Sequence, residues 1–284
     1  MNNLSCVIIG AGRVGSSFAF AFHKSNIKVK CIVDINSKSA KNLAKKIGCN
    51  LAITRLEKIS FEFDFVLISV QDRFIIQIVK DLLRAKINLQ RKFIFHTSGA
   101  LSSDILEPLK RNGAKVFSLH PNWSFANKND YIDFSEVTCA IESDSSYAIN
   151  FGKRLCKLLG CKFIVLNKNE KSLYHAFAVL ISNYSVFLLE EINEHFQNKQ
   201  ILSSFITLLK STLTNVELYN PANSLTGPIV RGDLKTIKQN LIALKKINNQ
   251  LAQVYMKIGS LILKKFDLSL DKEILFKLEK IFKG

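Results

Sequence analysis

Short apolar runs alternate with amphipathic stretches through the first half of the chain. The runs at 4–9, 28–33, 65–70, 93–95 and 116–119 are brief and bounded by turn residues, and they predict strands. Between them, apolar residues recur at helical spacing over 14–23, 39–46, 73–84 and 103–111. Strands alternating with helices predict a parallel sheet covered on both faces. A further strand–helix–strand unit at 137–141, 147–159 and 163–166 is expected to extend that sheet.

From about Lys168 the helical period takes over, with helices predicted at 170–195, 202–216, 234–246 and 249–264. Pro221, Gly227, Pro228 and Gly232 punctuate the longest break between them. The expected fold is α/β, with a Rossmann domain at 1–167 followed by an all-helical domain at 168–284 that binds substrate and dimerises. The longest apolar stretch, 177–189, is interrupted by Ser182, Asn183 and Ser185 and flanked by His175 and Glu190. It reads as a buried helix and not as a membrane span. The residues after Met1 carry no basic segment of the secretory type, so a cytoplasmic protein is expected.

The glycine loop narrows the chemistry. Gly10-Ala11-Gly12-Arg13-Val14-Gly15 follows the first predicted strand, opens a helix and precedes a strand ending at Asp34. That is the context of a dinucleotide site. Gly10 permits the tight turn, Gly12 admits the pyrophosphate to the backbone, and Gly15 lets helix and strand pack closely. The helix N-terminus offers free N–H groups to phosphate. Arg13 and Val14 belong to the same loop. Asp34, 19 residues beyond Gly15, is placed to accept the ribose hydroxyls of NAD, while Ser37, Lys38 and Lys41 could hold the extra phosphate of NADP. Ser69, Val70, Gln71 and Thr97 sit at the carboxyl ends of later strands, where ligands bind in open parallel sheets.

A net charge of +17 changes this picture little, because the lysines are spread along the whole chain. A nucleic-acid partner is not expected; the charge suits an anionic cofactor or acid. Six cysteines (Cys6, Cys31, Cys49, Cys139, Cys156, Cys161) form no C-x-x-C pair, and neither metal nor disulfide is expected. Reducing a carbonyl needs a hydride from the cofactor and a proton for the developing alkoxide. His120, placed after a strand and before Pro121, is the first candidate donor, with Ser98 able to bond to it or to the substrate oxygen. His175 is the second. Asn183, eight residues on along the same helix, is read as a buried amide that can hold a substrate oxygen. Arg231 suits a carboxylate; Asp233 either joins it or caps the next helix, and Thr226 lies in the same turn region.

With the glycine loop, His96-Thr97-Ser98-Gly99-Ala100-Leu101, Leu119-His120-Pro121, Tyr174-His175-Ala176, Ser182-Asn183, Leu225-Thr226-Gly227-Pro228 and Arg231-Gly232-Asp233 in view, a resemblance emerges. The chain resembles the Rossmann-like proteins with a helical C-terminal domain of the DUF2520 group, within the 6-phosphogluconate dehydrogenase-like superfamily. The resemblance implies an NAD(P)-dependent oxidoreductase similar to a divergent class of ketopantoate reductases, acting on the 2-oxo acid 2-dehydropantoate. The pairing of Ser98 with His120 looks like that in prephenate and arogenate dehydrogenases. Two departures stand out: Asp34-Ile35-Asn36 where the group usually carries a Ser-Arg-Ser-like stretch, and Asn240 where a histidine is common. The superfamily's lysine, one helical turn before its asparagine, would fall on Val179 if Asn183 were that asparagine. The alternatives are a dehydrogenase of another hydroxy acid or imine, and a non-catalytic dinucleotide sensor. A homodimer is expected in the leading reading.

Overall fold

The computed structural model describes residues 4–127 and 132–283. Eight strands form one sheet: β1 (Ser5–Ile9), β2 (Lys28–Val33), β3 (Ala52–Ile53), β4 (Phe65–Ile68), β5 (Phe93–His96), β6 (Lys115–Asn122), β7 (Thr138–Glu142) and β8 (Lys162–Val165). Their spatial order is β3-β2-β1-β4-β5-β6-β7-β8. The first connections are filled by α1 (Arg13–Lys24), α2 (Ser37–Lys46), α3 (Asp72–Arg84) and α4 (Glu107–Arg111), and α5 (Ser146–Leu159) joins β7 to β8.

Alternation along β1 shows why both faces are covered. Cys6 and Ile8 enter a core with Phe18 and Phe22 of α1, Leu43 of α2 and Leu155 of α5. Val7 and Ile9 enter the opposite core with Ile75, Val79 and Leu82 of α3 and Leu109 of α4. Side chains of successive strand residues point to opposite faces, so a strand buried on both sides must be apolar throughout. The order reverses at β1, which pairs with β2 on one side and β4 on the other. Such a switch point opens a crevice at the carboxyl ends of the strands.

One expectation needs correction. β1 to β6 are parallel, but β7 runs antiparallel to β6 and β8 runs parallel to β7. The pairing with β7 lengthens β6 beyond the predicted 116–119 and takes in His120, which lies opposite Ala140. His120 is therefore a strand residue, not one that follows a strand.

Helices continue as α6 (Lys171–Phe196), α7 (Lys199–Asn223), α8 (Leu234–Ile247), α9 (Asn249–Lys265) and α10 (Lys272–Lys283); β3 and α10 were not foreseen. Two compact units divide at Tyr184 and Ser185, Met1–Tyr184 and Ser185–Gly284. The second has its own small core of Ile237, Leu241, Ala252, Leu278 and Phe282. A second correction concerns α6. The stretch read as a buried helix is exposed in this chain, with Phe177 57%, Ile181 72% and Val186 63% accessible. By length and composition alone the helix over Lys168–Phe196 is apolar enough to cross a membrane.

Candidate active site

The glycine loop leaves β1 at Gly10, whose φ of +106° is a conformation that side chains disfavour. A Cβ there would lie 2.5 Å from the Ser69 carbonyl oxygen, and one at Gly15 would overlap the Gly10 carbonyl; at Gly12 nothing lies within 4 Å. Gly12 is the N-cap of α1 and supplies no side-chain cap, so the first N–H groups of the helix remain available to an anion. Val14 packs against the core, and the exposed Arg13 reaches the Phe125 carbonyl at 3.5 Å. Ser69 does not face a ligand with its hydroxyl, which donates to the Gly10 carbonyl at 3.0 Å and braces the loop.

Asp34 accepts the Ala11 N–H at 2.7 Å and the Asn36 N–H at 2.7 Å. Its carboxylate is thus fixed beside the loop. It lines a cavity of about 410 Å³ together with Gly10, Ile35, Arg55, Val70 and Phe74. The open helix end, the close-packed glycines and this adjoining cavity fit a dinucleotide. Arg55 reaches this cavity from beyond β3 and was not foreseen. Gln71 is exposed and starts α3, and the Thr97 N–H is held by the Ile68 carbonyl at 3.1 Å.

A ladder of hydrogen bonds continues across the next strand ends. Ser98 donates its hydroxyl proton to Asp72 Oδ2 at 2.7 Å and accepts the Leu101 N–H at 3.0 Å. It is not bonded to His120. His96, fully buried at the end of β5, accepts the Ser98 N–H on Nδ1 and faces the Ser102 carbonyl with Nε2, both at 3.2 Å. Burial pushes its pKa down to about 4, so it stays neutral and holds the 97–102 loop.

Lys171, the first residue of α6, is 1% exposed. Its Nζ donates to Ser118 Oγ at 2.7 Å and to the Ser98 carbonyl at 3.1 Å. Burial brings its pKa down to about 8, against the opposing pull of Glu142 and Asp72. Four residues later, one turn along the helix, His175 meets His120, with ring centroids 5.7 Å apart and planes at 89°. Both rings close on Gly99, where a Cβ would fall 2.5 Å from His175 Nδ1 and 2.8 Å from His120 Nε2. Tyr174 packs edge-on to His120. The Nδ1 atoms of His120 and His175 are buried with no hydrogen-bond partner. Burial, then the charge of Lys171 and the second histidine, push His120 down to about 4.

Other predicted residues fall elsewhere. Asn183 is exposed near the end of the first unit, so it is not the buried amide expected. In the second unit Asp233 caps α8, accepting from the Thr236 N–H at 3.0 Å and its hydroxyl at 2.6 Å. Those bonds hold its carboxyl below the usual range. Arg231 and Thr226 are exposed. Lys171, Asp72, Ser118 and Gly99 were missed as functional candidates. The signal for Lys171 was its position one helical turn before His175, overlooked because Asn183 set the register.

Residues 1–121 match the family model described as a Rossmann-like domain, and residues 137–262 match that of a domain of unknown function (DUF2520). No curated protein matches the sequence. Among solved structures the chain is similar to a Bacteroides fragilis protein assigned as an NADP oxidoreductase, at 20% identity over 92% of this chain and 98% of the other, with a TM-score of 0.77. It is similar to a protein of Thermotoga maritima at 24% identity over 98% of each chain, with a TM-score of 0.65. An imine reductase from Myxococcus stipitatus in complex with NADP+ shares 16% identity over 96% of this chain and 99% of the other, with a TM-score of 0.66. The fold is thus one shared with NAD(P)-dependent oxidoreductases.

Proposed function

We propose that the chain is an NAD(P)H-dependent reductase of a small carbonyl compound, with the 2-oxo acid 2-dehydropantoate as the leading substrate. One observation carries this reading. The glycine loop, braced by Ser69, and a hydrogen-bonded group of Asp72, Ser98, Lys171 and Ser118 follow neighbouring strands of one sheet, and the histidine pair closes on Gly99 next to that group. A reduced nicotinamide supplies hydride when bound. Gly10, Gly12, Gly15 and Asp34 would hold the dinucleotide, with Arg13, Val14, Ser69, Val70, Gln71 and Thr97 shaping its bed.

The chain's own residues then divide the proton chemistry. His120, held near pKa 4, is neutral at pH 7 and does not store the transferable proton. Lys171, near 8, does. An ammonium has three N–H donors and two are engaged, so one remains for the developing negative charge. The unpartnered Nδ1 atoms of His120 and His175 supply the hydrogen bonds that orient a polar substrate group, because buried polar atoms are ordinarily satisfied. Ser98 positions Lys171 through its carbonyl. Arg231 and Thr226, exposed in the second unit, are given no part in this site. Asp233 is left to its cap, and Asn183 takes no part.

The test is oxidation of NADPH or NADH on adding 2-dehydropantoate to the purified chain. His120→Ala is expected to lower turnover far more than dinucleotide affinity; turnover near wild type would remove His120 from the site. A second reading, reduction of a C=N bond, is favoured by the fold likeness to the imine reductase, which spans nearly the whole chain. A panel of cyclic imines separates the two. We also propose that the chain forms a homodimer, because Phe177, Ile181 and Val186 leave an apolar helix uncovered in one copy. A monomeric mass in light scattering at micromolar concentration would refute that.

A further inference from the structure

Cys139, Cys156 and Cys161 take no part in the hydrogen-bond ladder, yet their sulfurs all lie within 4.8 Å of one another. Cys139 and Cys161 Sγ are 3.7 Å apart, and all three thiols are free. Cys139 and Cys156 are wholly buried and Cys161 is 6% exposed. Two features bring them together. Gly160, with φ of +74°, ends α5 in a left-handed turn that returns the Cys161 N–H to the Cys156 carbonyl at 3.0 Å. β8 then pairs with β7, setting Cys139 opposite Phe163, two residues beyond Cys161.

We propose that these three cysteines form a three-coordinate thiolate site for a soft cation, Cu(I). A metal–sulfur distance of about 2.3 Å puts trigonal ligands about 4 Å apart, so small shifts accommodate the ion, the 3.7 Å edge between Cys139 and Cys161 opening slightly. Thiolates select soft metals. The group contains no fourth His, Cys or carboxylate ligand among the described residues, and apolar burial excludes water, which disfavours tetrahedral zinc. Each thiol that ligates releases its proton to solvent. β8 is the edge strand of the sheet, and Cys161, just before it, is the point of entry. The competing account is that the thiols merely pack as small hydrophobes.

The test uses the reduced full-length chain under nitrogen, with Cu(I) supplied as its bicinchoninate complex. Withdrawal of one Cu(I) per chain, a near-ultraviolet charge-transfer band and three sulfur neighbours at about 2.3 Å by X-ray absorption are expected. The C139S/C156S/C161S variant should lose this, while C6S/C31S/C49S keeps it. Serine in a core can unfold a chain, so the unaltered protein is also alkylated with iodoacetamide and its peptides mapped. Cu(I) should suppress alkylation of Cys161, the only one of the three with any exposure, and leave Cys49 reactive. No withdrawal of copper, binding that survives loss of the three cysteines, protection confined to other thiols, or displacement by equimolar Zn²⁺ would each overturn the proposal.

Discussion

The Lys171 ammonium donates to Ser118 Oγ across 2.7 Å and to the Ser98 carbonyl across 3.1 Å, tying the first turn of α6 to β6 and to the loop after β5. A single buried cation thus aligns the helix that carries His175 with the strand that carries His120. The arrangement has measurable consequences.

Replacing Lys171 by Met removes a buried ammonium whose pKa is drawn from 10.5 down to about 8. Burying that cation opposes folding below pH 8, and raising the pH through 8 to 10.5 relieves the opposition, because there the unfolded chain binds the extra proton. Lys171→Met should therefore keep or raise Tm near neutrality. Turnover should fall by about 10²–10⁴, the usual contribution of a positioned proton donor. The wild-type kcat/KM should decline above pH 8, and the residual activity of the variant should lack that limb.

The two buried histidines make stability acid-sensitive. His96 and His120 sit near pKa 4 in the folded chain against 6.5 ordinarily, both chiefly through burial. Between those values the unfolded chain binds more protons, so stability rises with pH from about 4 to 6.5 and is lost as pH falls through that window. Their combined slope is at most about 2.7 kcal/mol per pH unit. Urea denaturation across this range should show it, and His120→Gln should remove about half of it.

Gly99 is where the histidine pair leaves no room. A methyl group there would press on His175 Nδ1 and His120 Nε2. Gly99→Ala should destabilise the chain by about 1–3 kcal/mol, as overpacking does. It should also depress turnover while leaving the Kd for the dinucleotide near wild type, a separation that calorimetry and steady-state kinetics can read together.

Asp34, anchored by the Ala11 and Asn36 amides, presents a fixed carboxylate to the cavity. It should favour NADH, since a 2′-phosphate would meet like charge. Asp34→Ser should shift the ratio of kcat/KM values toward NADPH by about tenfold, or 1.4 kcal/mol, with Arg55 available to the phosphate. An unchanged ratio would show that the ribose lies elsewhere.

Much of the fold was legible because it rests on local pattern. Apolar runs set β1, β2, β4 and β5, and Gly10 and Gly15 could be assigned because only glycine meets the turn and the helix–strand approach. The direction of β7 was not legible, since periodicity reports which residues are buried and not which way a strand runs. The exposure of α6 escaped for a related reason: an apolar helix looks the same in sequence whether its own chain covers it or not. Asn183 was misjudged with it.

The sequence by itself determined the glycine loop, the acidic residue after β2 and the succession of α/β and helical segments, because each depends on residues a few positions apart. Only the tertiary structure decided that Lys171, Ser98 and Ser118 share one buried cation, and that His120 and His175 meet over Gly99. The same is true of the three cysteines that converge at one edge of the sheet. The hydrogen bonds among them join residues 22 to 73 positions apart, and pairing of strands and docking of a helix set their distances, which no local pattern records.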